Sequence, residues 1–167
     1  MKNYWTNMKA KIFLTLTAVI VVGCSSPNRI IDTHIHLYDT SRPEGVPWPK
    51  PSDDVLFRPT VARHFDAICE ANGVSATVIV EASDRVEDNQ WVLDLVKHNP
   101  KRYIGLVGNL PIGTPQFAKH LERFAKDERF VGLRLRSWSE GVGGFNDAVW
   151  RDLQLLSDKG LALDVLM

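Results

Sequence analysis

The stretch Asp32-Thr33-His34-Ile35-His36 holds the residue types best suited to chemistry in this 167-residue chain. It continues an apolar Ile-Ile pair that predicts a β-strand, and residues two apart in a strand point to the same side. His34 and His36 therefore project together and could bind one divalent cation such as Zn²⁺, which accepts nitrogen ligands readily. Asp32 lies on the same side and could orient an imidazole ring. A pair of solvated or packed histidines would show the same spacing.

Two arginines and three further side chains are candidates for a binding site. Arg134 and Arg136 lie at the end of a later apolar strand and, being two residues apart, could face the same side. A guanidinium there could bind a substrate carboxylate or pair with a neighbouring acid. Glu81 ends another strand, and we expect it to be an ordinary polar residue at the end of the sheet. Trp48 and Trp138 could line a pocket or cover the core. No residue is assigned as the catalytic base.

Short apolar runs alternate with amphipathic stretches along most of the chain. The pattern predicts strands at 30–34, 76–80, 103–107, 130–135 and 161–166, and helices at 60–72, 88–99, 114–124 and 146–159. This βαβαβαβαβ order indicates an α/β fold with a parallel sheet covered by helices, either doubly wound or part of a (β/α)₈ barrel. A long proline-rich loop, 37–58, follows the first strand, where such folds place their binding surfaces. No glycine-rich nucleotide-binding motif is present.

The segment from Ile31 to Asp39, IDTHIHLYD, resembles the opening motif of the amidohydrolase superfamily. The nearer resemblance is to its amidohydrolase-related branch (family 2), which contains lactone hydrolases and non-oxidative decarboxylases. Weaker matches at 78–82, 89–100, 104–108 and 131–134 extend the resemblance over 29–167. It implies a (β/α)₈ TIM-type barrel that hydrolyses a small carbonyl compound, often a lactone, with a metal-activated water. His34 and His36 match the metal ligands of the first strand, although some lactone hydrolases of the branch work without a tightly bound metal.

The resemblance also implies histidines after strands five and six and an aspartate after strand eight. The sequence ends within strand five, and Asp164, inside that strand, is not expected to replace the late aspartate. We therefore expect 29–167 to be an incomplete barrel domain, βα units 1–4 plus strand 5, of a lactonase-like hydrolase and inactive by itself. One alternative is a non-catalytic half-barrel that binds a ligand and self-associates through the open sheet edge. Another is a metal-dependent decarboxylase of the same branch.

The first 28 residues resemble a targeting segment rather than part of the fold. A basic stretch without acids, 1–11, precedes an apolar run, 12–22, as in a secretory signal peptide. The run is shorter than the roughly 20 apolar residues that span a bilayer. Val21-Val22-Gly23-Cys24 resembles a bacterial lipobox, which implies a signal peptide over 1–23, a lipid on Cys24 and a tether over 24–28. Ser25 then favours the outer membrane, facing the periplasm, over the inner one. A plain signal peptide with an incidental cysteine is the alternative.

The amino-acid composition limits the kinds of partner that we expect the chain to bind. With 44% hydrophobic and 24% charged residues the chain is neither disordered nor a coiled coil. Basic and acidic residues number 20 each, and loss of three lysines with 1–23 leaves 17 against 20, so nothing attracts nucleic acid. A small-molecule substrate and a membrane reached through the lipid anchor remain as predicted partners. Cys69 has no disulfide partner once Cys24 is lipidated, and we expect it to be buried and inert.

Overall fold

The computed structural model describes residues 29–136 and 144–166. In these ranges five strands alternate with four helices, in the predicted order. The strands are β1 (Ile30–Ile35), β2 (Val74–Val80), β3 (Tyr103–Gly108), β4 (Phe130–Leu135) and β5 (Ala162–Val165). The helices are α1 (Ala62–Asn72), α2 (Val86–Val96), α3 (Phe117–Phe124) and α4 (Asp147–Asp158). No helix in the described ranges is long and apolar enough to cross a bilayer.

The five strands form one parallel sheet in the order β1-β2-β3-β4-β5. Each strand thus pairs with the next one along the chain, as in a barrel, whereas a doubly wound sheet reverses its strand order at a switch point. The sheet is curled, because Nη2 of Arg134 on β4 lies 3.1 Å from Nε2 of His34 on β1. In a flat sheet these strands would lie about 14 Å apart, with side chains standing perpendicular to it. The fold is therefore the N-terminal part of a TIM-type barrel, as predicted.

The core lies between the sheet and the helices, and the spacing of apolar residues explains it. On α3, Phe117, Leu121 and Phe124 are almost fully buried at intervals of four and three residues, which places them on one helix face. From the sheet, Leu106 and Phe130 join the same cluster. Burying these side chains holds the helices on the outer surface of the sheet and leaves its concave side for the site.

Helix ends follow the sequence signals where the signals are local. Gly73 adopts a φ of 68° and ends α1, and Asn146 accepts a hydrogen bond from the Val149 amide at 3.1 Å as the cap of α4. α1 begins later than predicted, at Ala62, because the backbone of Thr60 forms a bridge with Tyr38, with two N–H···O bonds of 2.8 Å.

Two other predicted helix starts are wrong. α3 begins at Phe117 rather than Thr114, because the Thr114 hydroxyl donates to the Pro111 carbonyl in a turn. Asp88, predicted as the cap of α2, lies inside that helix, which begins at Val86. The Asp88 carboxylate instead binds Arg42 at 2.8 Å. Both differences come from side chains that have a partner outside the helix.

Candidate functional site

His34 and His36 lie together at the carboxyl end of β1, as strand geometry predicts. Their ring centroids are 5.1 Å apart and the rings are nearly perpendicular, at 79°. Nδ1 of His36 is 3.0 Å from the carbonyl oxygen of Val80 at the end of β2. Because a carbonyl only accepts, Nδ1 carries the proton, and the neutral ring keeps a lone pair on Nε2. The sheet thus fixes both the orientation and the tautomer of His36.

The surroundings of His36 favour its neutral form. Burial lowers the pKa of His36 below its ordinary value, and the nearby His34 and Arg134 lower it further, against the opposing effect of the bond to Val80. Trp48, from the loop after β1, packs edge-on against His36 with 5.3 Å between ring centroids. His36 is therefore a partly buried imidazole whose free nitrogen can accept a proton.

Arg134 is almost buried at the end of β4 and has two partners. Its Nε and Nη2 lie 2.8 and 2.7 Å from Oδ2 of Asp164, the residue opposite it on β5. Its Nη2 also lies 3.1 Å from Nε2 of His34. A guanidinium only donates, so His34 uses the lone pair of Nε2 to accept this hydrogen bond.

Arg136 pairs with Glu81 across the concave side of the sheet. Nε of Arg136 donates to Oε1 of Glu81 at 2.8 Å, and Nη2 donates to Oε2, which makes the pair bidentate. The Glu81 side chain is 4% exposed and that of Arg136 is 40% exposed. Of the two roles left open by the sequence, pairing with a neighbouring acid is therefore the one seen for both arginines.

These side chains surround a cavity of about 170 Å³ at the mouth of the half-barrel. It is lined by His36, Trp48, Glu81, Ala82, Arg134, Arg136 and Leu166. Each of the two guanidiniums in this lining is paired with a carboxylate, Arg136 with Glu81 of the lining and Arg134 with Asp164 outside it. The cavity therefore offers hydrogen-bond donors and one free imidazole nitrogen with little net charge.

The long loop after β1 is fastened over this mouth by two arginines. Arg42 binds Asp88 of α2 at 2.8 Å and lies 4.7 Å above the ring of Trp91. Arg85 donates to the carbonyls of Glu44 and Gly45 at 3.0 and 2.9 Å. These contacts hold the loop in place, and Trp48 of this loop lines the cavity. Sequence reasoning missed this role of Arg42 because Asp88 and Trp91 lie more than forty residues away along the chain.

A divalent metal does not fit this arrangement as it stands. His36 offers a free Nε2, but the lone pair of His34 is engaged by Arg134. Within the described ranges there is no group of three or more His, Cys, Asp or Glu side chains placed to hold a metal ion. A metal held by both histidines would therefore require Arg134 to move.

The structure agrees with only some of the predictions made for individual residues outside the His34/His36 pair and the two arginines. Asp32 accepts the backbone N–H of His34 at 3.1 Å instead of orienting an imidazole. Cys69 is fully buried, as predicted. Cys24 and Trp138 lie outside the described residues. Asp164 is a site residue that sequence reasoning set aside, although a lone acid in the apolar run 161–166 opposite a lone base in 130–135 was a usable signal.

A family model for amidohydrolases matches residues 31–167, so the chain belongs to the amidohydrolase family. Among curated proteins it is similar to L-fucono-1,5-lactonase of Burkholderia ambifaria, with 24% identity over 104 residues, 62% of this chain and 35% of that protein.

Two solved structures share the fold. An amidohydrolase from Burkholderia multivorans with bound Zn is 20% identical, with a TM-score of 0.71 over 83% of this chain and 49% of that one. The 5-carboxyvanillate decarboxylase of Novosphingobium aromaticivorans, complexed with manganese and a substituted nitrobenzoic acid, is 15% identical, with a TM-score of 0.61 over 81% and 49%. The chain thus spans about half the length of these relatives, or less, and solved relatives hold a divalent metal and a small-molecule ligand.

Proposed function

We propose that the chain carries the substrate-binding side of a lactone hydrolase site. The observation that supports this most is the nearly neutral cavity that is lined by His36 and by the paired guanidiniums of Arg134 and Arg136. A sugar lactone is a neutral cyclic ester, and such a site can polarise its carbonyl without attracting free acids. Similarity to a lactonase of the same family supports the choice of substrate class.

The chemistry assigned here uses only side chains of this chain. His36, neutral and oriented by Val80, would accept a proton from the water that attacks the carbonyl carbon, and Arg136 would donate a hydrogen bond to the carbonyl oxygen as it gains charge. The acyl C–O bond of the ring would then break, and the leaving ring oxygen would take the proton from His36. Arg136 uses Nε and Nη2 for Glu81, which leaves the N–H groups of Nη1 outside that pair. A metal-activated water, predicted from the sequence, would first require Arg134 to leave His34.

These few side chains limit the rate of lactone hydrolysis that we expect. One positioned general base accelerates a reaction by about 10²–10⁴-fold, whereas enzymes reach roughly 10⁶-fold and more. We therefore expect the chain alone to bind lactones and to hydrolyse them slowly or not at all, in line with the inactivity predicted from its sequence. Vigorous hydrolysis that is lost on His34→Ala would contradict this expectation.

Binding and turnover can be measured separately on the full chain in detergent micelles. Calorimetry with a sugar δ-lactam, a stable analogue of a 1,5-lactone, should give saturable binding that Arg136→Met weakens about tenfold, as expected for loss of a hydrogen bond to a charged donor. Any turnover of L-fucono-1,5-lactone should disappear in His36→Gln. Absence of lactam binding, or turnover unchanged in His36→Gln, would refute the proposal.

The same samples distinguish the decarboxylase alternative. Incubation with 5-carboxyvanillate, the substrate class of the Novosphingobium relative, should release no CO₂. Release of CO₂ that depends on His36 would favour decarboxylation over lactone hydrolysis.

We also propose a lipid anchor in the cell envelope, at the outer membrane and facing the periplasm, on the strength of the lipobox-like segment that ends in Cys24. In a bacterial host fed a labelled fatty acid, Cys24→Ala should abolish labelling of the chain. The matched variant Cys69→Ala should remain labelled, since that thiol is buried. Labelling that persists in Cys24→Ala would refute the anchor.

Self-association through the sheet edges is a further proposal. The edge strands expose large apolar side chains: Ile30 and Ile31 on β1 are 50% and 45% exposed, and Val165 on β5 is 44% exposed. An unpaired parallel edge with such side chains favours pairing with another strand. Sedimentation velocity should show a dimer or larger species that Val165→Lys shifts toward monomer, whereas a monomer in both samples would refute it.

A further inference from the structure

Arg134 stands between two groups that bind metals in proteins. Its Nη2 is 3.1 Å from Nε2 of His34 and 2.7 Å from Oδ2 of Asp164. Imidazole nitrogens and carboxylate oxygens are also ligands that divalent cations bind in proteins. The side chain of Arg134 is only 9% exposed, whereas that of its partner Asp164 is 38% exposed.

We propose that the guanidinium of Arg134 is the resident cation of the His34/His36 site and excludes a divalent metal from it. Nη2 and a metal ion would need the same lone pair on His34, so binding of one prevents binding of the other. A dication beside a retained guanidinium would also meet electrostatic repulsion in a partly buried place. This competition for His34 does not depend on which substrate the cavity binds.

The pairing of β4 with β5 keeps Arg134 in place. Arg134 and Asp164 are direct partners in the parallel register, and both Nε and Nη2 of the arginine bind the same carboxylate oxygen. The backbone of two strands therefore fixes this contact. Displacing the guanidinium would separate Arg134, whose side chain is nearly buried, from the Asp164 carboxylate that compensates its charge.

Removing the guanidinium should convert the same place into a metal site. In Arg134→Met the Nε2 of His34 and the carboxylate of Asp164 lose their shared partner, and His36 already has a free Nε2. The Nε2 atoms of His34 and His36 are then both available, and imidazole nitrogen is a ligand that Zn²⁺ and Co²⁺ accept. We expect Co²⁺ to bind Arg134→Met at least tenfold more tightly than the unmodified chain.

Co²⁺ titration followed by visible absorption, on the full chain in detergent micelles without substrate, measures this directly. Arg136→Met is the matched control, because it removes the same charge from the same end of β4 without a contact to His34. A second change, His34→Gln in the Arg134→Met background, should abolish the gain. The proposal fails if the unmodified chain binds Co²⁺ as tightly as Arg134→Met, if Arg134→Met gains nothing, or if Arg136→Met gains as much.

An NMR measurement needs no variant and so remains informative if Arg134→Met fails to fold. Long-range ¹H–¹⁵N spectra of the imidazole rings report which nitrogen carries a proton and which nitrogen binds metal. At one equivalent of Zn²⁺ the signals of Nε2 of His34 should stay unchanged. A shift of the Nε2 signals of both His34 and His36 at this ratio would overturn the proposal.

Discussion

The buried hydroxyl of Tyr103 should make the stability of the chain fall as the pH rises above about 10, and Tyr103→Phe should remove this dependence. Tyr103 opens β3 and is fully buried, with its hydroxyl 3.0 Å from the carbonyl oxygen of Ala62 and 2.9 Å from Oδ1 of Asp66, both in α1. Burial, together with the bond to Asp66 and its charge, raises the pKa of Tyr103 far above its ordinary value of 10.0. Tyr103→Phe keeps the ring and removes only this group.

The magnitude follows from the hydrogen bonds and from proton linkage. Near pH 8 the substitution removes a buried hydrogen bond and should lower the free energy of unfolding by about 1–2 kcal/mol. Above pH 10 a tyrosine in the unfolded chain ionises while folded Tyr103 keeps its proton. The unmodified chain then loses stability relative to Tyr103→Phe by about 1.4 kcal/mol per pH unit. The stability curves of the two chains should therefore cross near pH 11, at roughly one unit above the unfolded pKa.

Urea unfolding at pH 8, 10 and 11, followed by circular dichroism, tests this on the full chain. Thr77→Val is the matched control, because the Thr77 hydroxyl is equally buried, donates to the Asp32 carbonyl at 2.8 Å and does not titrate. Its stability difference from the unmodified chain should stay constant with pH. A difference for Tyr103→Phe that is also constant would show that the hydroxyl is not held in the protonated state by burial.

Two further substitutions test the sheet and the loop. Gly132→Ala would place a Cβ 2.6 Å from the backbone oxygen of Ala162, so β4 and β5 should separate and urea unfolding should show a loss of about 1–3 kcal/mol; unchanged stability would contradict this packing. Arg42→Met leaves the mostly buried Asp88 without its partner and should cost about 3 kcal/mol by the same measurement. Arg123→Met, which breaks an exposed pair, should cost less than about 1 kcal/mol, and equal losses would refute the role of burial.

The structural features that could be predicted from the sequence are those that depend on residues close together along the chain. Strand parity places His34 beside His36, and an αL glycine at position 73 ends α1, because both effects act over a few residues. The pairing of Arg134 with Asp164 depends on the register between β4 and β5, which the sequence pattern leaves undetermined. Asp88 was wrongly predicted to be a helix cap, because its contact with Arg42 in a distant loop is also left undetermined by the sequence pattern.

The distribution of charge around the cavity bears most directly on the choice between substrates. Each guanidinium at its rim is matched by one carboxylate, Arg134 by Asp164 and Arg136 by Glu81, and lowering of the His36 pKa adds no positive charge. A decarboxylase must draw an anionic acid into its site, and a balanced site provides little attraction for an anion. An enzyme that hydrolyses a neutral sugar lactone must admit a neutral ester and release an anionic hydroxy acid, and weak attraction for the product then assists turnover. The pairing of both arginines with carboxylates therefore supports the proposal of a neutral sugar lactone over that of an anionic acid as substrate.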